Sequence, residues 1–242
     1  MNRIGLATSA SVWFYPAHAQ MLCFLKRFRD EIYDLFLPVG CPLVTPVTAL
    51  LIIGAGLVFV CSRFGENMAW VQTLSITRII FVARGMTWNK GLPEIWHGEV
   101  WRLVSPILIH FSFFHLACNC FALWVFGTQF EWKHGPVRFL AFVVVAQVVN
   151  SLVVFELRGP YFGGISGACA AVIGFLLWRA KVQRVPGVKM HWFVVVLVFL
   201  DLLLTATGFG PVRSPAAHLT GLLFGFFIAL IVTPAGRVQP IA

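Results

Sequence analysis

The chain has 242 residues, 59% of them apolar and 11% charged, and its mean hydropathy of +0.86 excludes an ordinary soluble domain. A net charge of +9 does not point to nucleic acid, because no basic tract is interleaved with aromatic residues and the charges flank apolar runs instead. Six cysteines, Cys23, Cys41, Cys61, Cys118, Cys120 and Cys169, lie in or beside those runs without the spacing of a disulfide framework or a paired zinc motif, so they are read as small core residues with no metal or redox role.

In chain order, residues 1–45 form a basic cytoplasmic lead-in with Lys26, Arg27 and Arg29; Pro16 breaks a faint signal-peptide pattern before Gln20, so no cleavage is expected there. Apolar runs then fall near 46–62, 108–130, 137–155, 165–178, 191–207 and 216–233. Several approach the roughly 20 residues that cross a ~30 Å hydrocarbon core, and bare backbone in lipid must be helical. The expectation is an all-α polytopic membrane protein with six spans over 46–234 and a cytoplasmic tail at 235–242. Between the first two spans, residues 63–107 carry Trp70, Trp88, Trp96 and Trp101, which favour the interface, so this stretch is read as a membrane-associated outer loop. With both termini cytoplasmic, ten lysines and arginines flank the spans inside, from Lys26 to Arg237, against Arg158 and Arg213 in the short outer loops. Spans two, four and six then all run from outside to inside.

Polar side chains within spans are costly and mark functional sites. They are His115 and Asn119 in span two, with His110 just above, Ser166 in span four, Asp201 in span five and His218 in span six. Counting up from the cytoplasmic helix ends at ~1.5 Å per residue puts Ser166 roughly 20 Å up, Asn119 about 18 Å, and His115 and His218 about 24 Å. They share one layer, so Ser166 opens a short helix that starts inside the membrane, and the space above it must hold water. Depth does not separate Asp201, about 18 Å up, from this layer.

His218, Gly221 and Gly225 line one face of span six, and Ser166, Ala170 and Gly174 make a matching stripe on span four. Small faces of this kind let helices approach closely in lipid, which would bring a hydroxyl to an imidazole, as a nucleophile and its general base require. Gly163, Gly164 and Gly167 are read as allowing a tight turn into the helix and leaving room for a peptide beside the hydroxyl. His115 and Asn119, four apart on one face, offer N–H donors for an oxyanion, as do the free backbone N–H groups at the start of span four. Each feature alone has a structural explanation: back-bonding for the serine, helix packing for the glycines, interhelical hydrogen bonds for the histidines. Their coincidence at one depth is what points to chemistry.

The motifs Trp101-Arg102, the run His110, His115 and Asn119 followed by Gly127 and Glu131, GISG around Ser166 and AHLTGLLFG around His218 together resemble the rhomboid family of intramembrane serine proteases, in the family's order over about 46–234. The resemblance implies a six-transmembrane-helix rhomboid-like bundle with a Ser166–His218 dyad, and an oxyanion site from Asn119, His115 and the Ser166 backbone N–H. His110 is by the same likeness a structural hydrogen bonder near the site, and Trp101-Arg102 belongs to a membrane-embedded first outer loop. The implied activity is cleavage of transmembrane protein substrates near the outer end of their helix, in a bacterial inner membrane, without a cofactor. Lipid and transmembrane proteins are the expected partners; nucleic acid is not, and oligomeric state is left open. The competing expectation is a catalytically inactive rhomboid-like protein that binds membrane clients. Two positions depart from the family pattern: Ala170 stands where many members carry an aromatic ring on the histidine, and Thr220 replaces a small residue before Gly221.

Overall fold

The computed structural model describes residues 45–184 and 215–232, together with residues 190, 193–197, 200 and 203, all within one compact unit, Val39–Ala242. Helix α1 (Pro46–Cys61) starts at a proline, which has no N–H to leave unsatisfied in a first turn. Its N-cap Thr45 makes no side-chain cap bond. The buried Glu131 carboxylate substitutes for one, accepting from the N–H groups of Val47 and Thr48, each at 2.8 Å, and from Thr48 Oγ1 at 2.7 Å. Leu50, Ile53, Leu57 and Val60 stay exposed along one side of α1, the face available to lipid.

The loop that follows is not all helix. It contains α2 (Met68–Leu74), an antiparallel hairpin of β1 (Ile80–Val82) and β2 (Gly85–Thr87) with Phe81 opposite Met86, the short α3 (Pro93–Trp96), and two 3₁₀ turns, Val100–Leu103 and Ser105–Leu108. The hairpin is a short two-stranded exception in a chain that is mostly helical, as expected. It joins through a two-residue turn, so every backbone group need not find a partner within one helix. The loop is held by Arg102, which is buried and donates to Glu99 Oε2 at 2.6 Å and to the carbonyls of Gln72 and Ser75 at 2.6 and 2.7 Å.

Helix α4 (Phe113–Ala122), a π-helical turn (Leu123–Gly127) and α5 (Thr128–His134) form one 22-residue apolar span. This span begins five residues later than expected, because residues 105–108 wind as 3₁₀ and Ser112 caps α4, accepting from the His115 N–H at 3.2 Å. Gly127 closes the π turn, where a Cβ would fall 2.9 Å from Leu123 Cδ1 and 3.1 Å from Phe139 Cζ. Helix α6 (Pro136–Arg158) is bracketed by Gly135 and Gly159, both at positive φ. Helix α7 (Ser166–Leu177) continues into a π-helical segment, Trp178–Val182, and α8 (Pro215–Val232) is the last described helix.

The chain is an integral membrane protein: three of its described helical spans, Phe113–His134, Pro136–Arg158 and Pro215–Val232, are long and apolar enough to cross a bilayer. Five of the six expected spans coincide with described helices. The expected span near 191–207, including Asp201, lies mostly outside the described residues, as do 1–44 and 233–242.

The core is built where α7 meets α6, α8 and the π turn. Phe130, Phe139, Phe142 and Phe175 meet there ring to ring at centroid distances of 4.7 to 5.6 Å.

Candidate active site

The site grows from a contact between backbones. A Cβ on Gly221 would sit 2.1 Å from the Gly167 carbonyl oxygen, one on Gly225 would sit 1.9 Å from the Ala171 oxygen, and one on Gly174 would sit 2.3 Å from the Leu222 oxygen. The contacts of 167 with 221 and of 171 with 225 advance together, so α7 and α8 run parallel there, while Gly174 packs back against Leu222. The face of α7 turned to α8 is therefore Gly167, Ala170, Ala171 and Gly174, which keeps Ala170 and Gly174 of the expected stripe and adds Gly167 and Ala171. Ser166 and His218 stand at the N-terminal ends of these two helices, immediately before the uppermost contact.

Ser166 is the first residue of α7 and is half-buried; His218 is buried. Ile165 at the N-cap supplies no side-chain bond, so the first N–H groups of α7 keep the positive end of the helix dipole open.

Span two delivers its polar groups to the turn before Ser166. The Gly164 Cβ position lies 2.7 Å from His115 Cε1, 2.8 Å from His115 Nε2 and 3.2 Å from Asn119 Nδ2. Ser112 sets this registry by fixing the first turn of α4, and one helical turn separates His115 from Asn119. His115 Nε2 is buried without a hydrogen-bond partner among the described residues. Asn119 Nδ2 lies 3.0 Å from His110 Nε2, and His110 Nδ1 lies 3.2 Å from the Leu108 carbonyl oxygen. Both contacts are satisfied by one tautomer, with Nδ1–H donating to Leu108 and Nε2 accepting from Asn119. His110 thereby orients the amide and leaves its second N–H for another acceptor. The His110 and His115 rings are 4.9 Å apart.

These distances correct the expected role of the glycines. The room at Gly164 is filled by His115 and Asn119, that at Gly163 by Ile109, whose Cβ lies 2.6 Å from the Cβ position, and that at Gly167 by Asn150, whose Nδ2 lies 1.3 Å from it. The missing side chains admit other parts of this chain rather than a peptide. Gly164 also needs its φ of +108°, which an L side chain rarely adopts, and its N–H donates to the Pro106 carbonyl at 3.0 Å.

Asn150 is the residue that sequence reasoning passed over. It lies buried on α6 with Gln147 and Ser151, where Gln147 Nε2 donates to Ser151 Oγ at 3.0 Å. The spacing of 147, 150 and 151 within an apolar span was the available signal. Ala170 faces α8, with its Cβ 3.1 Å from the Gly221 Cβ position, and Thr220 is half-buried beside that contact.

Comparison with known proteins follows the same residues. A family model described as Rhomboid domain matches residues 97–235. The chain is 33% identical over 162 residues to a protein of Haemophilus influenzae named rhomboid protease GlpG, which covers 63% of this chain and 84% of that one. It is 29% identical over 140 residues to a GlpG homolog of Cronobacter sakazakii, covering 57% of this chain and 51% of that one. A Bacillus subtilis protein named rhomboid protease GluP is 35% identical over 136 residues, covering 54% of this chain and 26% of that one. The chain thus spans about half or less of the latter two relatives.

Proposed function

Given that this chain belongs to the rhomboid family, we propose that it is an intramembrane serine endopeptidase that cleaves transmembrane proteins near the outer end of their helix. Ser166 is the nucleophile and His218 its general base. The observation that supports this reading is the backbone contact of Gly167 with Gly221, because Ser166 and His218 belong to the first turns of the two helices that meet there and Gly164, two residues before the serine, packs on His115 and Asn119. The unpartnered His115 Nε2, the amide of Asn119 and the open N–H groups of α7 converge on the same turn, as donors for an oxyanion must.

A substrate helix unwinds at its end and offers a carbonyl carbon. Ser166 Oγ attacks it while His218 takes the hydroxyl proton; the carbonyl oxygen gathers negative charge against the donors above. The proton then passes to the leaving amine, and water releases the acyl-enzyme by the same steps in reverse order. No metal or cofactor enters this sequence. Two half-buried or buried partners at the start of membrane helices are a poor use of polarity for a protein that only binds clients, and no observation favours the inactive alternative. Both termini lie on the cytoplasmic side in this reading, which sets the cut near the outer face.

The test is incubation of wild-type and Ser166→Ala protein in proteoliposomes with a panel of membrane-spanning peptides, the products being mapped by mass spectrometry. Discrete cuts by the wild type alone are expected. Equal cleavage by the Ser166→Ala protein, or no cut in any peptide, would overturn the proposal.

A further inference from the structure

A second site lies where the outer loop meets the end of α6. A cavity of about 200 Å³ is lined by Trp88, Lys90, Phe155, Glu156, Arg158 and Gly159, among others. Its wall is built rather than incidental: the Trp88 ring occupies the space a Gly159 side chain would need, with Cζ2 at 2.5 Å and Cη2 at 2.7 Å from the Cβ position, and Gly159 has a φ of +83°. Phe155 is buried at the base, while Lys90, Glu156 and Arg158 are exposed at the rim. Among the described residues none of these three charges makes an ion pair.

Two features define what fits. The first is depth. Helix α6 has 23 residues, about 34 Å at 1.5 Å per residue, so an apolar helix of this length brings its charged C-terminal turn to the headgroup layer of a ~30 Å core. Trp88 is the residue type that favours that layer. The second is charge. Lys90 and Arg158 would hold a phosphate, but Glu156 and the negative end of the α6 dipole oppose a bare anion in the same small space. They favour a cation instead, and the indole face of Trp88 does the same.

We propose that this cavity binds a phosphate–ammonium zwitterion, supplied by the headgroup of an ethanolamine phospholipid. The phosphate lies between Lys90 and Arg158; the ammonium turns to Glu156, the last carbonyls of α6 and Trp88. A primary ammonium has three N–H donors for those acceptors, whereas a choline headgroup has none. The lipid bridges the loop to the segment 159–165 that leads into Ser166, and its binding does not depend on Ser166 being a nucleophile.

The full chain, stripped of lipid in detergent, is titrated with short-chain ethanolamine, choline and glycerol phospholipids and with soluble O-phosphoethanolamine, and occupancy is read by native mass spectrometry. The ethanolamine lipid should bind about tenfold more tightly than the other two lipids. Lys90→Gln and Arg158→Gln should each weaken it by about fivefold. Glu156→Gln, which removes the charge but leaves the α6 carbonyls and an amide oxygen as acceptors, should shrink the ethanolamine preference over choline by about threefold, and this variant decides the matter if the other two fail to fold. Equal wild-type affinity for the three lipids, tighter binding of the glycerol lipid, or unchanged binding by the variants would overturn the proposal. Displacement by O-phosphoethanolamine at the lipid's own concentration would overturn the lipid as source.

Discussion

At Gly164 a side chain is replaced by space that His115 and Asn119 fill, so three residues from two spans form one packed turn ahead of Ser166. Removing a single oxyanion donor typically costs ~10² to 10³ in rate. Under the proposed mechanism Asn119→Ala and His115→Ala should therefore each slow cleavage by about that factor while Ser166→Ala abolishes it, measured as initial rates in proteoliposomes. His110→Ala acts through Asn119 and should slow cleavage less than Asn119→Ala. Gly167 is a sharper case. A methyl there falls 1.3 Å from Asn150 Nδ2, so Gly167→Ala should destabilise the fold by about 1 to 3 kcal/mol through overpacking. Asn150 Oδ1 has no partner to lose, so the double variant with Asn150→Ala should recover much of that loss in a denaturation cycle. Additive losses would show that the two side-chain positions do not compete for one space.

At the scale of elements, α7 and α8 touch through carbonyl oxygens that cannot swing aside. Gly225→Ala should therefore cost at least about 3 kcal/mol, more than Gly167→Ala, because its Cβ meets the Ala171 backbone rather than a movable side chain. The start of α1 depends on Glu131, 83 residues from Thr48, for its first N–H groups. Glu131→Ala leaves three donors without their acceptor and should lower stability by about 3 kcal/mol or more, whereas Glu131→Gln, which keeps one carbonyl acceptor, should lose less in the same thermal melt. The outer loop adds a pH dependence. Burial pushes the Glu94 carboxyl up, but the Thr77 hydroxyl at 2.6 Å, the Arg78 N–H at 3.1 Å and the Arg102 guanidinium together hold it below its ordinary value. A depressed carboxylate contributes stability above its unfolded pKa, about 4.3, and loses it as pH falls through the lower folded value. Amide exchange in residues 68–108, corrected for intrinsic rates, should speed up below about pH 4.3 in the wild type. In Glu94→Gln this acid step should be missing.

For the whole molecule, the proposed topology of six spans with both ends cytoplasmic predicts that tags at residues 1 and 242 are digested from the same face of inside-out vesicles and protected in right-side-out ones. A tag cleaved from opposite faces would break the orientation on which the depth of cleavage rests. The helices were legible because lipid removes the alternatives: an apolar run near 20 residues has no other way to bond its backbone, and Gly and Pro mark its ends. The same periodicity marked His115 with Asn119, and His218 with Gly221 and Gly225, as shared faces, since a helix fixes which side chains lie one turn apart. Outside the spans that rule lapses. The stretches on either side of the hairpin at Ile80–Thr87 are tied together by Arg102 and Glu94 reaching across 17 to 30 residues, which no local pattern encodes. Sequence by itself thus determined a polytopic membrane chain, its main helices and which helices carry His115, Asn119, Ser166 and His218. Only tertiary structure decided that the carbonyls of Gly167 and Ala171 join Ala170 and Gly174 against α8, and that Asn150 fills the space at Gly167. Small residues permit a close approach without specifying which atoms make it, and that choice belongs to the packing of all the helices together.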